Sequence, residues 1–294
     1  VTAFFLCKLF FVTRKQRFHR MRSAWLLKTQ QRRLHQGDPM HAASETYRDG
    51  TTEFEGFLAY EGARDMRRPA VMVFHQWSGC SAFEVEKTEW LAGLGYAALA
   101  VDMYGKGKRG TGPEENSALM APLVSDRGLL RQRIDAAVRH MKSLPMVDSE
   151  RMAAIGFCFG GLCVLDLART GVSGVRGSVS LHGLLGSFDA KTLQRPAQMQ
   201  TKVLALHGWN DPMTRPDSVE AFAREMSDHG ADWQLHAFGG CGHAFTNPGA
   251  QDAKGGMQYN PLADARSFEM VKDFLAEVFS PAWATKVTNC PVPA

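Results

Sequence analysis

The stretch Met152-Ala153-Ala154-Ile155-Gly156-Phe157-Cys158-Phe159-Gly160-Gly161 decides how the rest of the chain is read. It has the pattern of a short buried strand, a glycine, one nucleophile, a second glycine and then a helix. A nucleophile held this way sits on a strained strand-to-helix turn. Glycines flank it because the strand and helix backbones pass too close for side chains. Here the nucleophile is a thiol.

A thiol attacks a carbonyl well only as thiolate, so Cys158 requires a base and a favourable field. The helix that begins after it supplies part of the field through its free N–H groups. The base expected is His243, in the glycine-rich run Gly240-Cys241-Gly242-His243-Ala244-Phe245. Asp211, in Leu206-His207-Gly208-Trp209-Asn210-Asp211-Pro212, follows the preceding strand and can accept the other imidazole N–H. Asp189 and Asp217 are alternatives for that carboxylate. A tetrahedral intermediate also needs an oxyanion hole. The donors expected are the backbone N–H of Phe159 and, from His75-Gln76-Trp77-Ser78-Gly79, that of Trp77. Gln76, Tyr104, Arg127 and Trp209 complete the candidate substrate pocket.

Around this centre the chain alternates strand-like and helix-like segments from about residue 45, which argues for a mostly parallel sheet covered by helices. Strands are expected over 55–60, 70–75, 96–101, 151–157, 177–181, 202–206 and 233–238. The runs 70–75 and 96–101 are continuously apolar, as for strands buried on both faces. Helices are expected over 83–94, 129–144, 159–168, 217–229 and 262–279, with Pro145 ending the second. Residues 105–126 read as a loop, where substrate specificity would reside.

The 294 residues suffice for one large α/β domain. The formal charge of +4 is uneven: residues 1–39 hold nine Lys/Arg against Asp38, leaving −4 for the remainder. The basic balance therefore belongs to the first 39 residues, and no nucleic-acid face is expected on the domain. In that segment the apolar run 4–12 precedes the basic residues, the reverse of a secretory signal. An organellar or membrane-surface address is one reading. The favoured one is an upstream stretch without a folded role, the domain spanning 40–294. No membrane span is expected. Cys7, Cys80, Cys158, Cys163, Cys241 and Cys290 show no paired spacing, so a reduced, cytoplasmic protein is the expectation. A metal site built from His75, His182 and His207 with Cys80 or Cys241 has the wrong spacing for a compact motif. Histidines on the floor of the cleft are the preferred reading.

Together, Gly156-Phe157-Cys158-Phe159-Gly160-Gly161, Val101-Asp102-Met103-Tyr104-Gly105, His207-Gly208 through Asp211-Pro212, and His243-Ala244-Phe245 resemble the dienelactone hydrolase family. This is a cysteine-using branch of the α/β-hydrolases, and the resemblance covers roughly residues 45–282. It implies an α/β-hydrolase fold with a mostly parallel central sheet and helices on both faces. The order nucleophile, acid, histidine is the order of that fold. The resemblance further implies a Cys158–Asp211–His243 triad and a carboxymethylenebutenolidase-like carboxylic ester hydrolase, acting on a small ester or lactone without a cofactor.

Two positions depart from the family's pattern. Gln76 stands where the family places a glutamate that meets the resting thiol, so thiol activation would rest on His243. The family also holds a substrate carboxylate with arginines, one shortly after the histidine; here that run is Thr246-Asn247-Pro248. Arg127 or Arg131 would have to substitute. A thiolate is itself a good leaving group, which favours esters and lactones over peptides. An acyl thioesterase or acyltransferase on the same machinery, and a silent small-molecule-binding protein, are the alternatives. A monomer or weak homodimer is expected.

Overall fold

Eight strands form one sheet in the order β1-β2-β4-β3-β5-β6-β7-β8. They are β1 Met40–Asp49, β2 Thr52–Glu61, β3 Arg68–Phe74, β4 Ala97–Val101, β5 Val147–Phe157, β6 Val175–Leu181, β7 Lys202–Gly208 and β8 Trp233–Phe238. The computed structural model describes residues 39–188 and 198–281, together with 193 and 196. The basic segment 1–38 and Asp189 lie outside the described residues.

From β4 to β8 the strands run parallel, while β1 and β2 are antiparallel additions at one edge. The parallel strands β4 and β7 are buried along their whole length. Alternate residues feed opposite layers, which is why their sequences are apolar without a break. Met72, Phe74, Leu99 and Val101 join Ile134, Met141, Leu162 and Leu167 on one face. Val71, Val73, Ile155, Leu204 and Leu206 join Leu91, Val271, Phe274 and Val278 on the other. The helices are α1 Ala82–Gly93, α2 Pro113–Ser125, α3 Arg127–Ser143, α4 Phe159–Thr170, α5 Pro216–Asp228 and α6 Pro261–Val278, and these partners come from α1, α3, α4 and α6. Among the described residues no helix is long and apolar enough to cross a membrane.

Two expectations are corrected. Residues 105–126 are not all loop: α2 occupies 113–125, starting with Pro113 and the acidic pair Glu114 and Glu115. Proline at the first helical position and acids in the first turn are helix-start signals. The strand β1 was not anticipated. It pairs with β2 through Asp49 and Thr52, around Gly50 at φ 55°. Its side chains are mostly exposed, so it lacks the apolar run by which the inner strands are recognised.

Candidate active site

Cys158 follows β5 directly and is the N-cap of α4, with φ 55° and ψ −112°. A non-glycine residue there carries backbone strain that the surroundings must hold in place. Close packing does so. A Cβ on Gly156 would lie 1.9 Å from the Gly160 carbonyl oxygen, and a Cβ on Gly160 would lie 2.1 Å from the Phe74 carbonyl oxygen. The start of α4 is thereby pressed against the ends of β5 and β3. Cys158 is half-buried, whereas Cys80, Cys163 and Cys241 are buried. Burial pushes the Cys80 thiol up to about 12 and Cys163 well above the ordinary value.

Asp211 and His243 come from the loops after β7 and β8 and are 2% exposed each. His243 Nδ1 meets Asp211 Oδ2 at 2.7 Å, and Asp211 Oδ1 accepts the Met213 N–H at 2.8 Å. The His243 backbone is held as well, its N–H donating to the Gly256 carbonyl at 2.7 Å. Its Nε2 is buried and has no hydrogen-bond partner among the described residues. Cys158 is near enough to influence the charge on the ring. Burial works to lower the His243 pKa. The Cys158 sulfur and the hydrogen bond that the ring donates to Asp211 outweigh it and raise the pKa to about 10. Asp217, the alternative carboxylate, lies in the first turn of α5.

Two further histidines flank this pair. His182, with φ 40°, sets its ring at 67° to that of His243 with centroids 5.3 Å apart. Its Nε2 lies 2.8 Å from Thr246 Oγ1. Burial, reinforced by His243, pushes its pKa well below the usual value. His207 is also lowered by burial, with Asp211 opposing. Burial thus disfavours a proton on both rings, whereas the His243 ring is favoured to hold one.

The loop after β3 is held from three directions. His75 Nδ1 lies 2.5 Å from the Gln76 carbonyl and Nε2 accepts the Met103 N–H at 3.1 Å, so the proton sits on Nδ1. Tyr104 donates its hydroxyl to the Trp77 carbonyl at 2.9 Å. The buried Glu84 accepts the Gln76 N–H at 3.1 Å and the Ser81 N–H at 2.9 Å, and Ser81 caps α1 in return. Glu84 was not singled out from the sequence, although Ser81-x-x-Glu84 is a readable capping box. Among the described residues no backbone acceptor takes the Trp77 N–H. Phe159 is the first residue of α4, where an N–H has no intrahelical acceptor.

The remaining pocket candidates divide differently. Arg127 is committed to Asp166, with Nε–Oδ2 at 2.7 Å and Nη2–Oδ1 at 2.8 Å, because a carboxylate this deeply buried requires a cation. It is not a free clamp for a substrate carboxylate. Arg131 pairs with Asp135 one turn along α3. Tyr104 is 2% exposed and packs against His75 and Phe159, so it is a packed aromatic rather than a pocket wall. Phe159 is fully buried, and Trp209 is 48% exposed beside Asp211 rather than part of the core. A separate polar cavity of about 190 Å³, lined by Glu55, Cys80, Asp102, Lys108 and Arg109, includes neither Cys158 nor His243.

Parallel strands flanked by helices on both faces, with a strained cysteine turn between β5 and α4, define an α/β-hydrolase. The dienelactone hydrolase family model matches residues 54–279, and the chain belongs to that family. An uncharacterized protein of Caenorhabditis elegans is 36% identical over 160 residues, 54% of this chain and 100% of that one. A protein of Bradyrhizobium sp named "Probable 2-oxo-3-(5-oxofuran-2-ylidene)propanoate lactonase" is 30% identical over 190 residues, 61% of this chain and 74% of that one. Among solved structures, a dienelactone hydrolase-like promiscuous phosphotriesterase from metagenomic libraries superposes with a TM-score of 0.77 at 33% identity. That match covers 83% of this chain and 100% of the other. The protein is a hydrolase of the dienelactone hydrolase kind.

Proposed function

We propose that the protein cleaves a small carboxylic ester or lactone through a thioester on Cys158, with His243 and Asp211 completing a triad. The observation that carries this reading is the wiring of His243. One ring nitrogen is tied to Asp211, the other is buried and left free of any hydrogen bond among the described residues, and Cys158 is near enough to influence the ring. An imidazolium held beside a thiolate is an activated nucleophile and a proton donor in one unit.

In the first half-reaction Sγ of Cys158 attacks the carbonyl carbon. The Trp77 and Phe159 N–H groups are aimed at the oxygen that gains charge. The intermediate collapses with loss of the alkoxide or enolate, which takes the proton from His243. Water then attacks the thioester while His243 accepts its proton, and the acid leaves with Sγ restored as thiolate. A stabilised oxyanion leaves more readily than an amine, which favours esters and lactones over peptides. The similar protein named a promiscuous phosphotriesterase recommends a phosphotriester as an additional substrate in any panel. Cys158→Ala is expected to abolish hydrolysis of a simple aryl ester. Intact-mass measurement on rapidly quenched wild-type protein is expected to find an acyl adduct absent from the variant. Undiminished turnover in Cys158→Ala would remove the assignment.

A further inference from the structure

The side-chain amide of Gln76 carries an inference that rests on the hydrolase reading above. Gln76 follows His75 at the end of β3, immediately before Trp77, and is 7% exposed. Asn247, four residues after His243, donates from Nδ2 to Gln76 Oε1 at 3.1 Å. The two ends of these amides are not interchangeable. Asn247 Oδ1 accepts the Gly249 N–H at 2.8 Å, and an N–H cannot be met by an NH2 group. Asn247 must therefore turn its NH2 to Gln76, and Gln76 must answer with its oxygen.

The NH2 of Gln76 is the end left over. Among the described residues it makes no hydrogen bond, and it is not among the side-chain polar atoms sealed in the interior without a partner. It is thus not fully sealed, although the side chain as a whole is buried. The Gln76–Asn247 bridge joins the loop that follows β3 to the loop that carries His243, and Trp77 is the next residue along the first of them.

We propose that Gln76 donates from Nε2 to an oxygen of the substrate's acyl group, a side-chain donor beside the Trp77 and Phe159 N–H groups. Asn247 is the positioning residue that keeps this end forward. A neutral donor here gains strength as the substrate oxygen acquires charge, and it neither takes a proton nor adds a negative charge beside the thiolate. The group recognised is an ester, lactone or similar oxo group presenting lone pairs.

Amide polarity is the testable quantity. Gln76→Glu keeps an oxygen for Asn247, so the packing is preserved, but the cleft end becomes an acceptor. Gln76→Met removes both functions. Asn247→Asp still accepts from Gly249 but offers oxygen to Gln76, which must then turn its own oxygen to the cleft. On the whole chain, with p-nitrophenyl acetate as probe, each variant is expected to lose about 10- to 100-fold in kcat/KM. The double variant Gln76→Met/Asn247→Asp is expected to be no slower than Gln76→Met. Iodoacetamide alkylation of Cys158 should stay within about twofold of wild type in Gln76→Met, since the donor serves substrate rather than thiol. Wild-type turnover in both Gln76 variants would overturn the proposal. So would an equal fall in alkylation, or losses that multiply in the double variant. Hydrolysis surviving in Cys158→Ala would instead strike the hydrolase reading, which separates the two failures.

Discussion

At the scale of single residues, the charge on His243 is set by its neighbours. Burial opposes the proton, while Cys158 and Asp211 retain it and bring the pKa to about 10. Removing the sulfur in Cys158→Ala leaves burial opposed by Asp211 alone. The imidazole pKa is then expected to fall, as followed by NMR titration of the ring protons; an unchanged value would refute the charge coupling. The sign carries over to stability. A histidine raised from 6.5 to about 10 on folding stabilises fully below about pH 6.5, and the contribution is lost as pH rises through about 10. The wild-type melting temperature should therefore decline more steeply over that window than that of Cys158→Ala. The candidates Cys158, Asp211 and His243 could be picked out in the sequence because each follows a strand pattern and lies close to a glycine. The pairing of Gln76 with Asn247 was not, since 171 positions separate them and either amide has many possible partners.

At the scale of elements, the junction between β5 and α4 depends on backbone approach. The Phe74 carbonyl carbon would lie 2.5 Å from a Cβ on Gly160. Gly160→Ala must push α4 away from β3, and overpacking of this kind costs about 1–3 kcal/mol or more. A lowered urea midpoint is expected. Ester turnover should fall further than the stability loss alone explains, because the Phe159 N–H moves with the helix. Unchanged stability in Gly160→Ala would mean the contact is slack. The inner strands were readable from their apolar runs, whereas β1 was not, because an edge strand buries little and carries no such run. The helix α2 announced itself through Pro113-Glu114-Glu115, but the glycines before it weighed towards loop.

At the scale of the whole molecule, a buried ion cluster ties the helices together. Arg169 of α4 is fully buried and pairs with Asp166 at 3.1 Å and with Glu225 of α5 at 2.9 Å. It also donates to the Leu185 carbonyl at 2.7 Å, and Arg127 completes the cluster from the first turn of α3. Removing one member of such a cluster leaves uncompensated buried charge, at a cost of about 3–5 kcal/mol. Arg169→Met should therefore lower the unfolding free energy by about that amount in urea titrations. Arg127→Met should lower it less, its side chain being 12% exposed, and should leave the ratio of rates on carboxylate-bearing and neutral esters unchanged. A selective loss on the carboxylate-bearing ester would restore Arg127 to the substrate site.

The amino-acid order alone determined the strand, glycine, cysteine, glycine and helix around Cys158. It also determined the succession of cysteine, aspartate and histidine and the doubly buried inner strands. These follow from short-range rules of backbone reach and apolar period. Only the tertiary structure decided which charges remain available, taking Arg127 for Asp166, and which end of Gln76 turns outward. A buried polar group must find a partner, and the chain offers many; packing selects one among them only when distant segments meet.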